Sequence, residues 1–177
     1  MNEEEERILI SRCLNNERSA QEELYRSYCD KMFVVCMTYA EDRDEAADFL
    51  QNGFMTVFSK LHLFAFNGSF EGWIRRIMVN SALSILRKKK RFSDFLENVE
   101  YMQELPDHEP DIDFIPSSEV IAKVNDLPRK SAMVLKLYAI EGYSHQEIAE
   151  IMEISIGTSK SQLNRARTLL KKAFNKK

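Results

Sequence analysis

The sequence predicts an all-α fold: two small helical domains joined by a flexible acidic linker, with a helix-turn-helix in the second domain. Apolar residues recur at intervals of three and four along several long segments, which is the period of an amphipathic helix. Three of the four prolines lie in one acidic segment, residues 92–118, which is typical of a linker. Hydrophobic residues make up 44% and charged residues 30% of the 177-residue chain, a globular composition. We therefore expect domains at residues 1–91 and 119–177.

The first domain is predicted to begin with three amphipathic helices, at Glu3 to Leu14, Ser19 to Ala40 and about Asp44 to Leu61. The apolar sides expected to be buried are Ile8, Leu9 and Cys13 in the first helix, Ala20, Leu24, Tyr28, Phe33 and Val34 in the second, and Ala47, Leu50, Phe54, Val57 and Phe58 in the third. The polar residues left on the third helix are Asp44, Asp48, Gln51 and Asn52. They are available to a partner, although taken alone they are better explained as a solvated face.

An aromatic loop and a basic helix are predicted between Phe64 and Arg91. Glycine, asparagine and serine mark the loop, and its aromatic residues are Phe64, Phe66, Phe70 and Trp73. The helix is expected to bury Trp73, Ile77, Ala82, Leu83 and Leu86 and to expose Arg75, Arg76, Asn80 and residues 87–91. Rings that stack on bases, beside cations that contact phosphates, are typical of a surface for single-stranded nucleic acid. The alternative for Phe70 and Trp73 is that both rings belong to the core.

Charge is unevenly distributed, although the net charge is only −3. Residues 75–91 carry 7 basic and no acidic residues, and residues 120–177 carry 11 basic and 5 acidic residues. Between them, residues 92–119 carry 9 acidic and no basic residues. Two separate basic patches indicate two nucleic-acid contacts. The acidic linker has two interpretations: a solubilising tether, or a segment that positive surfaces attract and that masks both basic patches in the free protein.

The second domain is organised around residues 142–171, which predict two short helices and a tight turn. Ser144 and Glu147 form a capping box for the first helix, and Ser155 caps the second. Glu153 stands in the turn where glycine is common, which predicts a strained turn or another turn type. An earlier helix starts near Leu127-Pro128. The apolar residues expected in this core are Met133, Val134, Leu137, Tyr138, Ile148, Ala149, Met152, Leu163, Ala166 and Leu170.

The second helix of the motif has a polar face that suits DNA. Helical spacing places six residues opposite the apolar side: Lys160, Ser161, Asn164, Arg165, Thr168 and Lys171. From Ser155 to the C-terminus there are seven Lys or Arg and no Asp or Glu, as expected of a helix in the major groove. Lys160, Asn164 and Arg165 are able to bond base edges. The alternative is a solvated basic face on an ordinary core helix.

Several classes of site are not expected. The three cysteines lack C-x-x-C spacing, so they predict neither a disulfide framework nor a zinc site and are expected to be buried thiols in a reducing compartment. The three histidines lack ligand spacing, and no nucleophile motif or phosphate loop is present, so no catalytic residue, metal or cofactor is expected. No uncharged run approaches the roughly 20 residues that span a bilayer. The acidic N-terminus is unlike a signal peptide, which predicts a cytoplasmic protein without membrane insertion.

Short motifs along the chain occur in a characteristic order. They are Asn16 to Ala20 with Leu24-Tyr25; Asp44 to Asp48 with Gln51 and Phe54; Phe66, Gly68, Phe70, Trp73 and Ile74 with Asn80 and Arg87-Lys88; and Leu127-Pro128, Glu141 to Ser144, Glu147 to Ala149, Gly157-Thr158 and Arg165 to Arg167. This order resembles the bacterial sigma factors of the extracytoplasmic-function group over nearly the whole chain. The chain departs from the usual family residues at Ala47, Asn52, Ser159 and Gln162, which weakens inferences about contact strength and promoter sequence.

The resemblance implies two helical domains without chemistry of their own, which bind core RNA polymerase and promoter DNA and are often restrained by an anti-sigma factor. It implies core polymerase binding by Asp44, Asp48, Gln51, Asn52 and Phe54. It implies recognition and melting of the minus-10 element by Phe66, Asn67, Ser69, Phe70, Trp73, Arg76, Asn80, Arg87 and Lys88. It implies recognition of the duplex minus-35 element by Thr158, Lys160, Ser161, Asn164, Arg165, Arg167 and Lys171.

The competing hypothesis is a helix-turn-helix transcriptional regulator that is not a polymerase subunit. Such a regulator needs only the second basic patch, together with a dimer interface or an effector pocket. A sigma factor needs both basic patches. Pull-down of core RNA polymerase distinguishes the two.

Overall fold

The computed structural model describes residues 2–89 and 118–175. Within these ranges every regular element is a helix: α1 (Glu3–Leu14), α2 (Arg18–Met37), α3 (Arg43–Lys60), a 3₁₀ turn (Leu61–Leu63), α4 (Phe70–Lys88), α5 (Ser118–Asn125), α6 (Arg129–Leu135), a π-helical segment (Lys136–Ile140), α7 (His145–Met152) and α8 (Ile156–Phe174). The chain divides into two compact units, and the first ends at Lys89. The all-α prediction with two helical domains is confirmed. Apart from Ser118, the predicted linker lies outside the described residues.

The core of the first unit lies between α2, α3 and α4, and α1 packs against α2. Each of these helices supplies large side chains that are almost fully buried: Ile10 from α1, Leu24 and Met32 from α2, Phe49 from α3, and Ile74 and Met78 from α4. Burial of such side chains contributes about 1.5–3 kcal/mol each. Hydrophobic packing between four helices therefore holds this unit together.

Three residues predicted to be buried in these helices are exposed, so the prediction is wrong there. Ile8 is 53% and Val34 is 68% exposed, and Ala47 is exposed as well. Their neighbours Ile10 and Ala46 are buried instead. Apolar residues on these helices cover more than one face, and the helical period alone does not reveal which face meets another helix.

A glycine allows α3 and α4 to approach each other closely. Gly53 is buried in the middle of α3, and a Cβ atom at this position would collide with the sulfur of Met78 on α4. Met78 is itself fully buried, so it has little room to move. The close contact ties together the two helices that carry most of the predicted site residues of this unit.

Short polar caps determine where the helices begin. Asn2 and Glu5 form a capping box at α1, and Asp42 accepts a hydrogen bond from the backbone N–H of Glu45 at 2.8 Å. At α4, Ser69 accepts one from the N–H of Gly72 at 3.2 Å. Such caps satisfy backbone donors that the helix leaves without partners. The cap at Ser69 starts α4 directly after the aromatic loop.

The second unit is built around α6, which packs mainly against α8. All five residues from Ser131 to Leu135 are buried. The π-helical segment follows and ends near Gly142, whose φ of 72° suits glycine. The backbone N–H of Tyr143 then bonds the carbonyl of Leu137 at 3.0 Å. This closes the turn that leads into α7.

Candidate nucleic-acid interface

The helix-turn-helix of α7 and α8 has the predicted local geometry. Ser144 accepts a hydrogen bond from the N–H of Glu147, and the Glu147 carboxylate accepts one from the N–H of Ser144 at 2.9 Å. Glu153 has a φ of 54° and so adopts the left-handed backbone that glycine often supplies in such a turn, which agrees with the strained-turn alternative. Ser155 then caps α8 through the N–H of Thr158 at 2.9 Å. Both caps follow from the sequence because each joins residues three apart.

The outer face of α8 carries the residues predicted to read the minus-35 element. Lys160, Arg165 and Lys171 are exposed, and Ser161 and Asn164 are partly exposed. The Thr158 hydroxyl shares a hydrogen bond with the Ser155 hydroxyl at 2.9 Å, so it takes part in the cap. The opposite side of α8 is buried at Leu163, Ala166 and Leu170. The structure therefore brings most of the predicted readers together on one accessible face.

Sequence reasoning missed Ile156, the first residue of α8, which is 48% exposed. It precedes the readers by one helical turn and offers an apolar surface, which is suited to the methyl group of thymine. Its position directly after the Ser155 cap, at the start of the helix, could have identified it in the sequence. An apolar residue there is too early in the helix to be assigned to either face by periodicity.

Arg167 lies at the edge of the outer face of α8, three residues after Asn164 and four before Lys171. Its guanidinium carbon is 5.8 Å from the centroid of the Tyr138 ring. Tyr138 also stacks on the ring of His145, with centroids 4.7 Å apart. Arg167 is partly buried in this arrangement. In the free protein it therefore packs on the rest of the second unit through a cation–π contact.

Two residues of α8 that depart from the usual family pattern form hydrogen bonds to other helices of the second unit. Ser159 is fully buried, and its hydroxyl lies 2.8 Å from Nδ1 of His145. The buried Ser131 hydroxyl donates to the carboxamide oxygen of Gln162 at 2.6 Å, and Gln162 is only 8% exposed. Buried polar groups are tolerated when they are paired. Gln162 therefore belongs to the interior of the unit and not to the exposed face of α8.

The predicted aromatic loop forms a cluster of four rings in the first unit. Phe64 lies at its centre, with ring centroids 4.9 Å from Phe66, 4.9 Å from Phe70 and 5.5 Å from Trp73. Phe70 is 1% exposed, Trp73 is partly buried and Phe66 is 40% exposed. Phe70 therefore belongs to the core, which was the alternative prediction for this residue. Phe66 is the accessible aromatic residue of the cluster. Asn67 and Ser69 are exposed beside it.

Side chains from α1 and α2 support this cluster. Tyr28 meets the Phe70 ring edge-on at 5.6 Å, and its hydroxyl donates to the Glu6 carboxylate at 2.7 Å. Burial, together with that hydrogen bond, raises the pKa of Tyr28. Lys31 pairs with Glu71 at 2.6 Å and joins α2 to the start of α4. The loop is therefore held by contacts between residues that are far apart in sequence.

The polar face of α4 continues from the aromatic cluster. Arg76, Asn80 and Lys88 are exposed, and Arg87 is partly exposed. At the end of the helix, Lys89 pairs with the buried carboxylate of Glu45 at 3.0 Å. The last described residue of the predicted basic run is thus anchored to α3, while Lys88 before it is exposed.

The exposed face of α3 carries most of the residues predicted to bind core polymerase. Asp44, Asp48, Gln51 and Asn52 are all exposed. Phe54 is not part of this face, because it is 3% exposed and packs against Tyr25 with ring centroids 4.7 Å apart. A residue that sequence reasoning missed is Met55, which is 66% exposed. Met55 lies three residues after Asn52 and seven after Asp48, which places the three side chains on the same side of a helix, so this spacing could have identified it.

Other classes of site are not found among residues 2–89 and 118–175. No group of three His, Cys, Asp or Glu side chains there could hold a metal ion. In the same ranges, no helix is both long and apolar enough to cross a membrane. Cys13 and Cys36 are buried free thiols, and burial raises their pKa to about 11 and about 12, while Cys29 is partly exposed.

Two family models match the chain, one in each unit. The model described as Sigma-70 region 2 matches residues 24–92, and the one described as Sigma-70, region 4 matches residues 117–170. Together they cover more than half of the chain. The first match contains α3, the aromatic loop and α4, and the second contains the helix-turn-helix.

Individual proteins are similar over most of the chain. The chain is 28% identical over 176 residues to the ECF RNA polymerase sigma factor SigW of Bacillus subtilis. The alignment covers 92% of this chain and 93% of that protein. It is 27% identical over 165 residues to the ECF RNA polymerase sigma factor SigE of Mycolicibacterium smegmatis, but spans only 60% of that protein's length. Among solved structures, the sigma factor RpoE in complex with the anti-sigma factor NepR from Bartonella quintana is similar, with a TM-score of 0.51, 21% identity and coverage of 88% of this chain and 96% of that chain.

Proposed function

Because the chain belongs to the extracytoplasmic-function group of bacterial sigma factors, we propose that it binds core RNA polymerase through its first unit and promoter DNA through both units. The observation that carries this proposal is the presence of two different candidate DNA surfaces in one chain. The first unit has an accessible aromatic ring beside exposed cations, and the second has an exposed recognition helix without acidic residues. A regulator that acts without polymerase has no use for the first surface.

In the second unit, the outer face of α8 recognises the minus-35 element as duplex DNA. Lys160, Ser161, Asn164 and Arg165 read base edges, and the exposed Lys171 contacts a phosphate that flanks the helix in the major groove. Arg167 contributes indirectly, because it packs on Tyr138 and so helps to hold α8. Thr158 likewise acts through the cap at the start of α8.

In the first unit, the aromatic loop and α4 bind the minus-10 element after it melts. Extrusion of a base costs a few kcal/mol, so a surface prepared for that base favours melting. Phe66, Asn67 and Arg76 supply stacking, hydrogen bonding and charge on the exposed side. Phe64 supports the Phe66 ring, and Phe64 itself packs on Phe70 and Trp73. Asn80, Arg87 and Lys88 extend the surface along the phosphate backbone.

The exposed face of α3 binds core polymerase. It combines the carboxylates of Asp44 and Asp48 with the amides of Gln51 and Asn52 and the apolar side chain of Met55. An apolar anchor within a polar rim is a common composition of a protein interface. Phe54 supports the face from beneath through its contact with Tyr25.

Run-off transcription with core RNA polymerase and genomic fragments tests the proposal. We expect the full chain to direct initiation at specific fragments and to be retained by immobilised core polymerase. Asp48→Lys with Met55→Glu should abolish retention, because charge reversal and a buried carboxylate both oppose the interface. The matched control is Asp30→Lys, which reverses an exposed charge on α2. A chain that binds DNA but neither retains polymerase nor supports transcription is the competing helix-turn-helix regulator.

Two promoter templates of the same sequence, one fully duplex and one with an unpaired minus-10 element, test whether the aromatic loop promotes melting. Replacing Asn67 and Phe66 with Ala should lower transcription from duplex promoters more than from templates with a melted minus-10 element. The reason is that these side chains offset the cost of opening. Equal losses on both templates would exclude a melting function.

We also expect a cytoplasmic location, where promoter DNA and core polymerase lie, and an anti-sigma factor as a regulatory partner, as the family implies. Affinity purification of the tagged chain from the source cells tests the second expectation. A small protein that is recovered in place of core polymerase and that inhibits run-off transcription supports it. Recovery of core polymerase alone, under every growth condition tried, contradicts it.

A further inference from the structure

The exposed ring of the aromatic cluster has an unusual backbone conformation. Phe66 has a φ of 56°, which places it in the left-handed region. Bulky residues rarely adopt this region, because their Cβ atom crowds the following carbonyl oxygen. The residue is also 40% exposed. Specific contacts, and not simple burial, must therefore hold it in place.

Two contacts hold the ring. Phe64 lies 4.9 Å away between ring centroids, and the guanidinium carbon of Arg7 lies 4.8 Å from the Phe66 centroid. The second distance is within the range of a cation–π interaction. Arg7 is on α1, which precedes the residues matched by the Sigma-70 region 2 model. A helix outside the matched region thus contributes directly to the loop.

We propose that Arg7 is a positioning residue for the single-stranded DNA surface. It holds the Phe66 ring in the orientation in which the exposed part of that ring stacks on an unstacked base of the non-template strand. The proposal rests on the function proposed above for the loop. A ring that is fixed before binding loses less conformational entropy when the base arrives, which strengthens binding.

Local charge indicates that Arg7 acts through Phe66 and not on a phosphate. The first turn of α1 contains four carboxylates, Glu3 to Glu6, directly before Arg7. This negative potential repels a phosphate backbone from that end of the helix. A guanidinium group can lie flat on an aromatic ring while its N–H groups remain hydrated, so the contact with Phe66 needs no phosphate.

The test uses the holoenzyme of the full chain, with the single-stranded non-template strand of a promoter identified by run-off transcription as the probe. Arg7→Gln should weaken binding about two- to fivefold, the size of an exposed cation–π interaction. Arg7→Lys should restore part of the loss, because an ammonium group also interacts with a ring face. Arg18→Gln removes one exposed charge at the start of α2 and should leave the affinity unchanged.

A double-mutant cycle separates positioning from other effects. Phe66→Asn removes the ring but suits a left-handed backbone. In that background, Arg7→Gln should cause no further loss, and equal losses in both backgrounds would overturn the proposal. The dependence of affinity on salt should be the same for the parent and Arg7→Gln. A log–log slope that falls by about 0.7 would assign Arg7 to a phosphate contact instead.

The outcomes also distinguish this inference from the proposed function. If Phe66→Asn itself leaves the affinity for the single strand unchanged, the function of the loop fails and positioning by Arg7 fails with it. If Phe66→Asn weakens binding and Arg7→Gln does not, only the positioning role fails. Urea unfolding followed by Trp73 fluorescence checks that each variant is folded in the assay.

Discussion

The two surfaces proposed to contact DNA are constructed in different ways. On α8 the readers follow one another at helical spacing, and the caps that start the helix join residues three apart. In the aromatic loop, Phe66 and Phe70 depend on Arg7 and Tyr28, which come from α1 and α2. The comparison teaches that recognition by α8 can be changed one side chain at a time. A change in the loop acts through the packing of the whole first unit.

The largest effect is expected from the buried ring of the loop. Phe70→Ala should lower the free energy of unfolding of the first unit by about 3–5 kcal/mol, because Phe70 is 1% exposed and its ring packs on Phe64, Trp73 and Tyr28. Urea unfolding followed by the fluorescence of Trp73, the single tryptophan, measures this. Phe66→Ala is the matched control and should cost clearly less. Identical unfolding midpoints would show that the two rings are equally structural.

On α8 the corresponding change should affect binding and not folding. Arg165→Ala should weaken binding to the cognate minus-35 duplex by about 1–3 kcal/mol, the value of a bidentate base contact. Its unfolding free energy should barely change, because the side chain is exposed. Lys172→Ala, a control near the end of the helix, should weaken cognate and scrambled duplexes equally. If Arg165→Ala also affects both duplexes equally, Arg165 does not read bases.

The stability of the second unit should depend on the buried hydrogen bond between Ser131 on α6 and Gln162 on α8. Ser131→Ala leaves the carboxamide of Gln162 buried without its partner, which should cost about 1–3 kcal/mol. Adding Gln162→Leu should recover most of this loss, because the unpaired polar group is then gone. Amide hydrogen exchange of α6 and α8 in the full chain measures both variants. Purely additive losses would mean that the two side chains do not act as a pair.

The smallest effect is expected at the turn of the helix-turn-helix. Glu153→Gly should stabilise the second unit by up to about 1 kcal/mol, because glycine adopts the left-handed conformation without a Cβ clash. Glu153→Ala keeps the Cβ atom and should give no such gain. The two variants are compared by hydrogen exchange of α7. Equal behaviour would show that the Glu153 side chain, and not its backbone, determines the stability of the turn.

Much of the second unit could be predicted from the sequence, because its features are local. The caps at Ser144 and Ser155 and the strained position of Glu153 involve residues at most three apart. The division of α8 into a buried and an exposed face follows from the helical period. Such features depend on covalent neighbours, whose distances the backbone itself determines.

Tertiary packing decided the points that the period leaves open. It buried Phe70, exposed Val34, and placed Gln162 inside the unit against Ser131, 31 residues earlier. The sequence determined that the loop is aromatic, that α4 is basic and that α8 carries no acidic residue. Only the assembled helices decided which ring faces solvent, because that choice depends on contacts between residues distant in sequence. No local pattern encodes those contacts.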